Sequence, residues 1–313
     1  MICSDDTWRQ FRGDAAAACG GYPARVRERA PLVHLLTNYV TVTDCVNAVL
    51  AIGGRAICSH APEEAAQVTS GADALVCNLG GTEYYDAMEL SAAAAFEKGI
   101  PLVIDPVGCS ASAHRRDMCL KLVREYVRWV RNDDRRIPAP AGTPAEQAAN
   151  ERKPGEDRPF CHLAIRGNYA EITALLDGHC MSPGLDSVGN LCMREELSLE
   201  QRMTAFAREN GVILIASGGT DLCTDGQGLR EVSRGTPALR RITGAGCLSS
   251  AVLAAFLAEE PSLDAAAAAV SLVGIAGEAA LAAAQETNTG AGHFHMFLMD
   301  FLSAGDPVWE MPR

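Results

Sequence analysis

Short apolar runs alternate with amphipathic stretches of helical length through most of the chain, the pattern of βαβ units built around a largely parallel sheet. The runs predict strands at Leu32–Thr37, Ala74–Leu79, Leu102–Asp105, Leu163–Arg166 and Val212–Ser217. Between them the 3.6-residue period predicts helices at Thr43–Ile52, Pro62–Gly71, Tyr84–Lys98 and Leu199–Asn210. Beyond Cys247 the pattern turns nearly all helical, with Ala-rich helices at Leu248–Glu259 and Leu263–Ala284 and a shorter one near the C-terminus.

Residues 131–159 break this alternation, holding five of the 15 prolines, mixed charges and almost no large apolar side chain. They read as a surface insertion or flexible loop. Because the α/β alternation resumes directly afterwards, one interrupted domain spanning 1–313 fits better than two. No internal repeat of fixed period is present.

The strand ends change the picture most, because parallel sheets bind ligands outside the carboxyl ends of their strands. Five consecutive ends carry polar or glycine-rich turns: Thr37-Asn-Tyr-Val40, Asn78-Leu-Gly-Gly-Thr82, Asp105-Pro-Val-Gly108, Arg166-Gly-Asn-Tyr-Ala-Glu171 and Ser217-Gly-Gly-Thr-Asp221. Packing alone does not explain five in succession. The segment Arg241-Ile-Thr-Gly-Ala-Gly-Cys247 adds a turn with two glycines, opening a long apolar helix. Such a turn presents bare backbone N–H groups to an anion, and the helix dipole is expected to lower the thiol pKa of Cys247 in the first turn. Asp105 would close a buried strand, in a position suited to a cation near a phosphate, and Glu171 falls in the first turn of the following helix. Each also has a plain structural reading, Asp105 as a turn-former before proline and Glu171 as a favourable charge near a helix N-terminus.

Composition narrows the classes. The net charge is −12 and lysine occurs only at 98, 121 and 153, with no dense basic stripe, which argues against nucleic acid as partner. The 12 cysteines include no C-x-x-C pair and read as reduced thiols of a cytoplasmic protein. The start of the chain has no apolar leader, and the Ala-rich stretches read as interrupted or amphipathic, so no membrane association is expected. With no Gly-Lys dipeptide there is no Walker A loop, and Gly244-Ala-Gly-Cys-Leu-Ser lacks the third glycine of the dinucleotide fingerprint. No H-E-x-x-H motif or Cys/His cluster points to zinc, and His293 and His295 read as surface or core residues.

Taken in order, the strand-end motifs resemble hydroxyethylthiazole kinases, members of the ribokinase-like kinases. The resemblance runs from about Pro31 to Leu257. It rests on Leu36-Thr-Asn-Tyr-Val-Thr-Val-Thr-Asp-Cys-Val-Asn-Ala48, Ala61-Pro-Glu-Glu-Ala65, Asp105-Pro-Val-Gly108, Arg166-Gly-Asn168 with Glu171, and Thr243-Gly-Ala-Gly-Cys247. Cysteine at 247, where most ribokinase relatives carry aspartate, sets the subfamily apart.

The resemblance implies a three-layer α/β/α fold and ATP-dependent phosphorylation of the hydroxyl of 4-methyl-5-(2-hydroxyethyl)thiazole, a salvage step towards thiamine. It also implies Mg²⁺ and a homotrimer with active sites between subunits. By the family pattern, Arg115, Ser217 and Asn168 would bind ATP, and Asp105 and Glu171 would hold Mg²⁺ or its waters. Gly244, Ala245, Gly246 and Cys247 would form the catalytic turn, while Gly244, Asn38 and Cys58 would contact the thiazole.

The chain departs from the pattern at three places. Cys58 stands where the family usually has methionine, Ser217 replaces the commoner threonine, and Ser110-Ala-Ser-Ala-His-Arg115 is followed by a second arginine at 116, leaving the ATP arginine open between the two. Competing expectations are another ribokinase-class small-alcohol kinase, a repair dehydratase of the same fold, and a binding protein for thiazole or nucleotide without turnover.

Overall fold

The computed structural model describes residues 3–130, 163–180 and 197–304. The proposed 131–159 insertion therefore lies outside the described residues.

Eight strands form one sheet in the order β2-β1-β3-β4-β5-β6-β7-β8. These are β1 (Leu32–Leu36), β2 (Arg55–Ile57), β3 (Ala74–Asn78), β4 (Leu102–Asp105), β5 (Leu163–Asn168), β6 (Ile213–Ser217), β7 (Asp221–Thr224) and β8 (Leu229–Val232). β1 to β6 pair in parallel, whereas β7 and β8 add an antiparallel edge. The five strands expected from sequence are all present and within two residues of their expected ends. The period reading misses β2, whose three residues carry no apolar run, and the β7–β8 ribbon, two four-residue strands of which β8 is exposed over its first three residues.

Eleven helices flank the sheet among the described residues: α1 (Asp5–Cys19), α2 (Tyr22–Arg29), α3 (Val42–Ala51), α4 (Pro62–Gly71), α5 (Tyr85–Lys98), α6 (Ala113–Val130), α7 (Tyr169–Cys180), α8 (Leu199–Asn210), α9 (Ala245–Glu259), α10 (Leu263–Glu286) and α11 (Ala291–Leu302). α4 and α8 match the expected bounds, and Ser198 closes the start of α8 with a reciprocal capping box to Gln201.

Alternation along each strand sends side chains to two separate layers. Val33, Leu35, Ala74, Val76 and Ile215 face a layer made by α1, α3, α9, α10 and α11. Leu36, Leu75, Cys77, Ile104 and Leu214 face Met88, Phe96, Tyr126, Leu175 and Phe206 of the opposite helices. The result is the three-layer α/β/α architecture of ribokinase-like proteins.

α10, one of the Ala-rich stretches read from sequence as interrupted or amphipathic, is long and apolar enough to cross a membrane by length and composition. Its most apolar window is nevertheless 78% buried inside the fold. It packs on α1, α9 and α11, so its apolarity serves the core.

The polar residues fully enclosed in this framework include a histidine. His34 in β1 shares a 2.8 Å hydrogen bond with the Thr69 hydroxyl of α4 and a 3.1 Å bond with the Ser59 carbonyl. Burial lowers its pKa to about 4, so it is a neutral bridge between sheet and helix near pH 7.

Candidate active site

The carboxyl ends of β1, β3, β4, β5 and β6 open on one side of the sheet, and the start of α9 closes over them. Between them lies a cleft of about 1020 Å³. Of the eleven residues singled out from sequence, all but Cys58 line it: Asn38, Asp105, Arg115, Asn168, Glu171, Ser217, Gly244, Ala245, Gly246 and Cys247. Cys58 follows the edge strand β2 and is half-buried against the layer containing α3 and α9.

The glycine turn is built by a backbone constraint. Gly244 has φ +86°, and a Cβ there would lie 2.8 Å from Thr41 Cγ2 at the start of α3. Only glycine meets both conditions. α9 begins at Ala245, three residues before the expected Leu248, and no side chain caps its start. Its first N–H groups therefore remain available at the cleft wall for an anion.

Beneath the turn lies a buried polar network. Asp105, 3% exposed, ends β4 in register with Asn78 at the end of β3. Asn78 Nδ2 donates to Asp105 Oδ2 at 2.7 Å and to Cys247 Sγ at 3.1 Å, and its Oδ1 accepts from Asn38 Nδ2 at 3.0 Å. Asn38 Oδ1 accepts from the Val40 and Thr41 amides, so this side chain also shapes the turn into α3. Burial raises the Asp105 pKa to about 6, an effect opposed by the nearby Arg166 guanidinium and reinforced by Glu171.

Cys247 corrects the sequence expectation. Its thiol pKa is raised, first by burial and then by the charge of Asp105, with the hydrogen bonds from Thr41 and Asn78 acting the other way. Desolvation and a neighbouring carboxylate outweigh the helix dipole, because both act directly on the sulfur. A neutral thiol results.

Glu171 joins two strand ends. Its Oε1 accepts from the Gly108 amide and its Oε2 from the Asn168 amide, both at 2.9 Å, while Asn168 Oδ1 accepts from the Glu171 amide at 2.9 Å. The structural reading of Glu171 as a helix-start residue thus holds as a capping box. Each carboxylate oxygen keeps a second lone pair for another donor or cation.

The two arginines of α6 separate cleanly. Arg115 lines the cleft, and its Nη1 donates to the Val107 carbonyl at 3.1 Å. Arg116 instead lies along α7, where a Cβ on Gly178 would come within 2.4 Å of its Cδ.

Sequence reasoning did not assign roles to Asn78, Thr41 or Arg166. Arg166, 8% exposed, donates from Nη1 to the Gly246 carbonyl at 2.9 Å, and its Nε has no hydrogen-bond partner among the described residues. The available signal was a polar residue ending an otherwise apolar strand, as in Ala-Leu-Val-Cys-Asn78. The Ser217 hydroxyl is likewise buried at the cleft wall without a hydrogen-bond partner among the described residues.

An uncapped helix start facing buried Asp and Arg side chains, at the carboxyl edge of this three-layer sheet, defines a small-molecule kinase of the ribokinase-like class. The family profile described as "Hydroxyethylthiazole kinase family" matches residues 24–146 and 159–305. The chain belongs to the hydroxyethylthiazole kinase family.

Among its relatives, hydroxyethylthiazole kinase 1 of Methanosphaera stadtmanae is 33% identical over 288 residues, covering 89% of this chain and 89% of that protein. The hydroxyethylthiazole kinase of Nitratidesulfovibrio vulgaris strain DP4 is 33% identical over 288 residues, covering 91% and 92%. The solved hydroxyethylthiazole kinase of Pyrococcus horikoshii OT3 superposes with a TM-score of 0.69 at 29% identity, covering 90% of this chain and 91% of that one.

Proposed function

We propose that the protein transfers the γ-phosphoryl group of ATP to the primary hydroxyl of 4-methyl-5-(2-hydroxyethyl)thiazole. The observation that carries this reading is the uncapped start of α9, whose first-turn Cys247 is bridged through Asn78 to Asp105, in a chain of this family.

The N–H groups of residues 244–247 would receive the phosphoryl oxygens, where backbone dipoles stabilise charge without reorganising. Arg115 and the unpartnered Ser217 hydroxyl would contact the nucleotide, with Asn168 beside them. Gly244 and Asn38 at the opposite wall would face the thiazole.

The donor set also fits Mg²⁺. Asp105 at the end of β4 and Glu171 in the first turn of α7, directly after the neighbouring strand β5, are two carboxylates on the cleft wall, and no group of three or more potential metal ligands occurs among the described residues. Mg²⁺ is commonly held by one or two carboxylates together with waters and substrate phosphates, where it neutralises phosphate charge. In this reading Cys247 is a neutral thiol beside the reacting oxygen. A strong base is not essential, since the alcohol proton leaves late in a loose transition state.

Cys58 off the cleft wall supports a second element of the reading, a homotrimer in which a neighbouring subunit completes the thiazole pocket. Tyr39 and Val40 at the cleft lip are 78% and 59% exposed, and Ile57 on the open edge strand is 37% exposed. Exposed apolar side chains of this kind suit a subunit contact.

A coupled assay for ADP release with hydroxyethylthiazole and Mg²⁺ tests the main assignment. Absence of thiazole-dependent ADP would overturn it, and turnover with a different alcohol in a panel would favour another small-alcohol kinase of this class. Light scattering of the purified chain tests the trimer.

A further inference from the structure

We infer that Asn78 is a positioning residue for phosphoryl transfer, one amide that sets the orientation of both Asp105 and Cys247. The inference rests on the reading of the cleft as the site of transfer.

Asn78 is 1% exposed and its primary amide is fully used. Nδ2 gives one hydrogen to Asp105 Oδ2 at 2.7 Å and one to Cys247 Sγ at 3.1 Å. Oδ1 accepts from Asn38 Nδ2 and from the Gly80 amide, both at 3.0 Å. A carboxylate needs a donor and the Gly80 N–H needs an acceptor, so the amide fits in only one orientation.

That orientation has a consequence for the reacting groups. Asp105 and Cys247 come from different elements, β4 and α9, yet both are held by hydrogens on the same nitrogen. Asn38, from the end of β1, fixes the amide from its other side. Four segments meeting at the cleft floor are therefore registered by one side chain, and a buried network satisfied this completely is rigid. Because Cys247 Sγ accepts from Asn78, the thiol hydrogen is left for Asp105 or for a group in the cleft.

A merely structural Asn78 would tie strand ends together without affecting turnover. Two measurements separate the cases, using the full chain and the variants Asn78→Ser and Asn78→Asp, with folding followed by thermal melting. In the coupled assay, Asn78→Ser is expected to lower kcat by about 10- to 100-fold while KM for ATP and for the thiazole stays within about threefold. The same change in a Cys247→Ala background should cost clearly less, the non-additivity of residues acting as a unit. Asn78→Asp, which sets a carboxylate against Asp105, should lose more kcat than Asn78→Ser at a comparable melting temperature.

The second measurement does not need turnover. Alkylation of Cys247 by iodoacetamide at fixed pH, read by mass spectrometry, should change several-fold in Asn78→Ser, because the amide that packs against the sulfur and holds it in place is gone. An unchanged kcat, equal losses in both backgrounds, or an unchanged alkylation rate would each overturn the inference. Absence of thiazole-dependent ADP from the wild-type chain would count against the kinase reading instead, and the alkylation arm would still decide whether Asn78 holds Cys247.

Discussion

Arg166 Nη1 lies 2.9 Å from the carbonyl oxygen of Gly246, so the cation at the end of β5 is tied to the first turn of α9. The same guanidinium is the principal influence opposing the upward shift of Asp105. Replacing it by methionine keeps the stem volume but removes the donor and leaves Asp105 without its nearby positive charge. Arg166→Met should destabilise the fold by about 2–4 kcal/mol, the scale for breaking a buried charged interaction, and lower kcat/KM as the α9 start loses its anchor. Guanidinium unfolding and steady-state kinetics measure the two effects. A variant as stable and as active as the parent would show that the contact positions nothing.

Acid should weaken the fold through His34. Its folded pKa of about 4 lies below the ordinary value of 6.5, chiefly because burial penalises the charged ring. The unfolded chain then binds more protons than the native one between those values. The stability from His34 is complete above pH 6.5 and is lost as pH falls towards 4, by about 3 kcal/mol in all. His34→Gln should flatten that part of the melting-temperature profile between pH 6.5 and 4. The same slope in both proteins would assign the acid sensitivity to other groups.

The sequence carried the parts that depend on local period or on a strand end. β3 and β4 are apolar runs buried on both faces, so their limits are legible, and their terminal Asn78 and Asp105 stand out as polar residues at the end of an apolar stretch. What was not legible is relational. Nothing along the chain says that Asn78, Asp105 and Cys247 converge, because β3, β4 and α9 meet only through the sheet order. The thiol of Cys247 was misjudged for the same reason. A helix dipole is visible in sequence, whereas burial and a carboxylate from another strand are not. β2 and β8 escaped because they are short, largely exposed edge strands without the apolar run that marks central strands, and β7, though buried, is only four residues long and opens on Asp221.

Arg115 and Arg116 should divide their effects. Arg115→Ala is expected to raise KM for ATP by about tenfold with little change in stability, as removal of one charge-assisted phosphate contact does. Arg116 runs along Gly178 on α7 and its truncation opens that contact, so Arg116→Ala should lower the melting temperature while leaving KM for ATP within about twofold. Nucleotide titration and thermal melts on the two variants check the division, and the reverse pattern would move the nucleotide contact to Arg116.

Gly244→Ala asks a non-glycine residue to hold φ +86° and sets a Cβ 2.8 Å from Thr41 Cγ2. Left-handed backbone alone costs about 1 kcal/mol for alanine, and the contact with Thr41 adds to it. Either the turn flattens or α3 moves, and both displace the N–H groups proposed to receive phosphate. Activity should fall by more than about 100-fold with a stability loss of only a few kcal/mol. The compensating pair Gly244→Ala with Thr41→Ser relieves the contact but not the backbone strain, so it should recover stability in part and activity very little.

Cys247 should behave as an unreactive thiol despite its place in the first turn of a helix. With burial first and Asp105 second pushing its pKa up, little thiolate exists near pH 7.5. Iodoacetamide should then label it more slowly than a free cysteine peptide under the same conditions, by at least about tenfold. Cys247→Ser keeps a small hydrogen-bonding group in contact with Asn78 and Asp105, so it should retain turnover with a moderate loss, on the order of tenfold. Fast labelling together with a loss above about 10⁴-fold in the serine variant would mean that the sulfur acts as a thiolate, and the neutral-thiol reading would have to be abandoned.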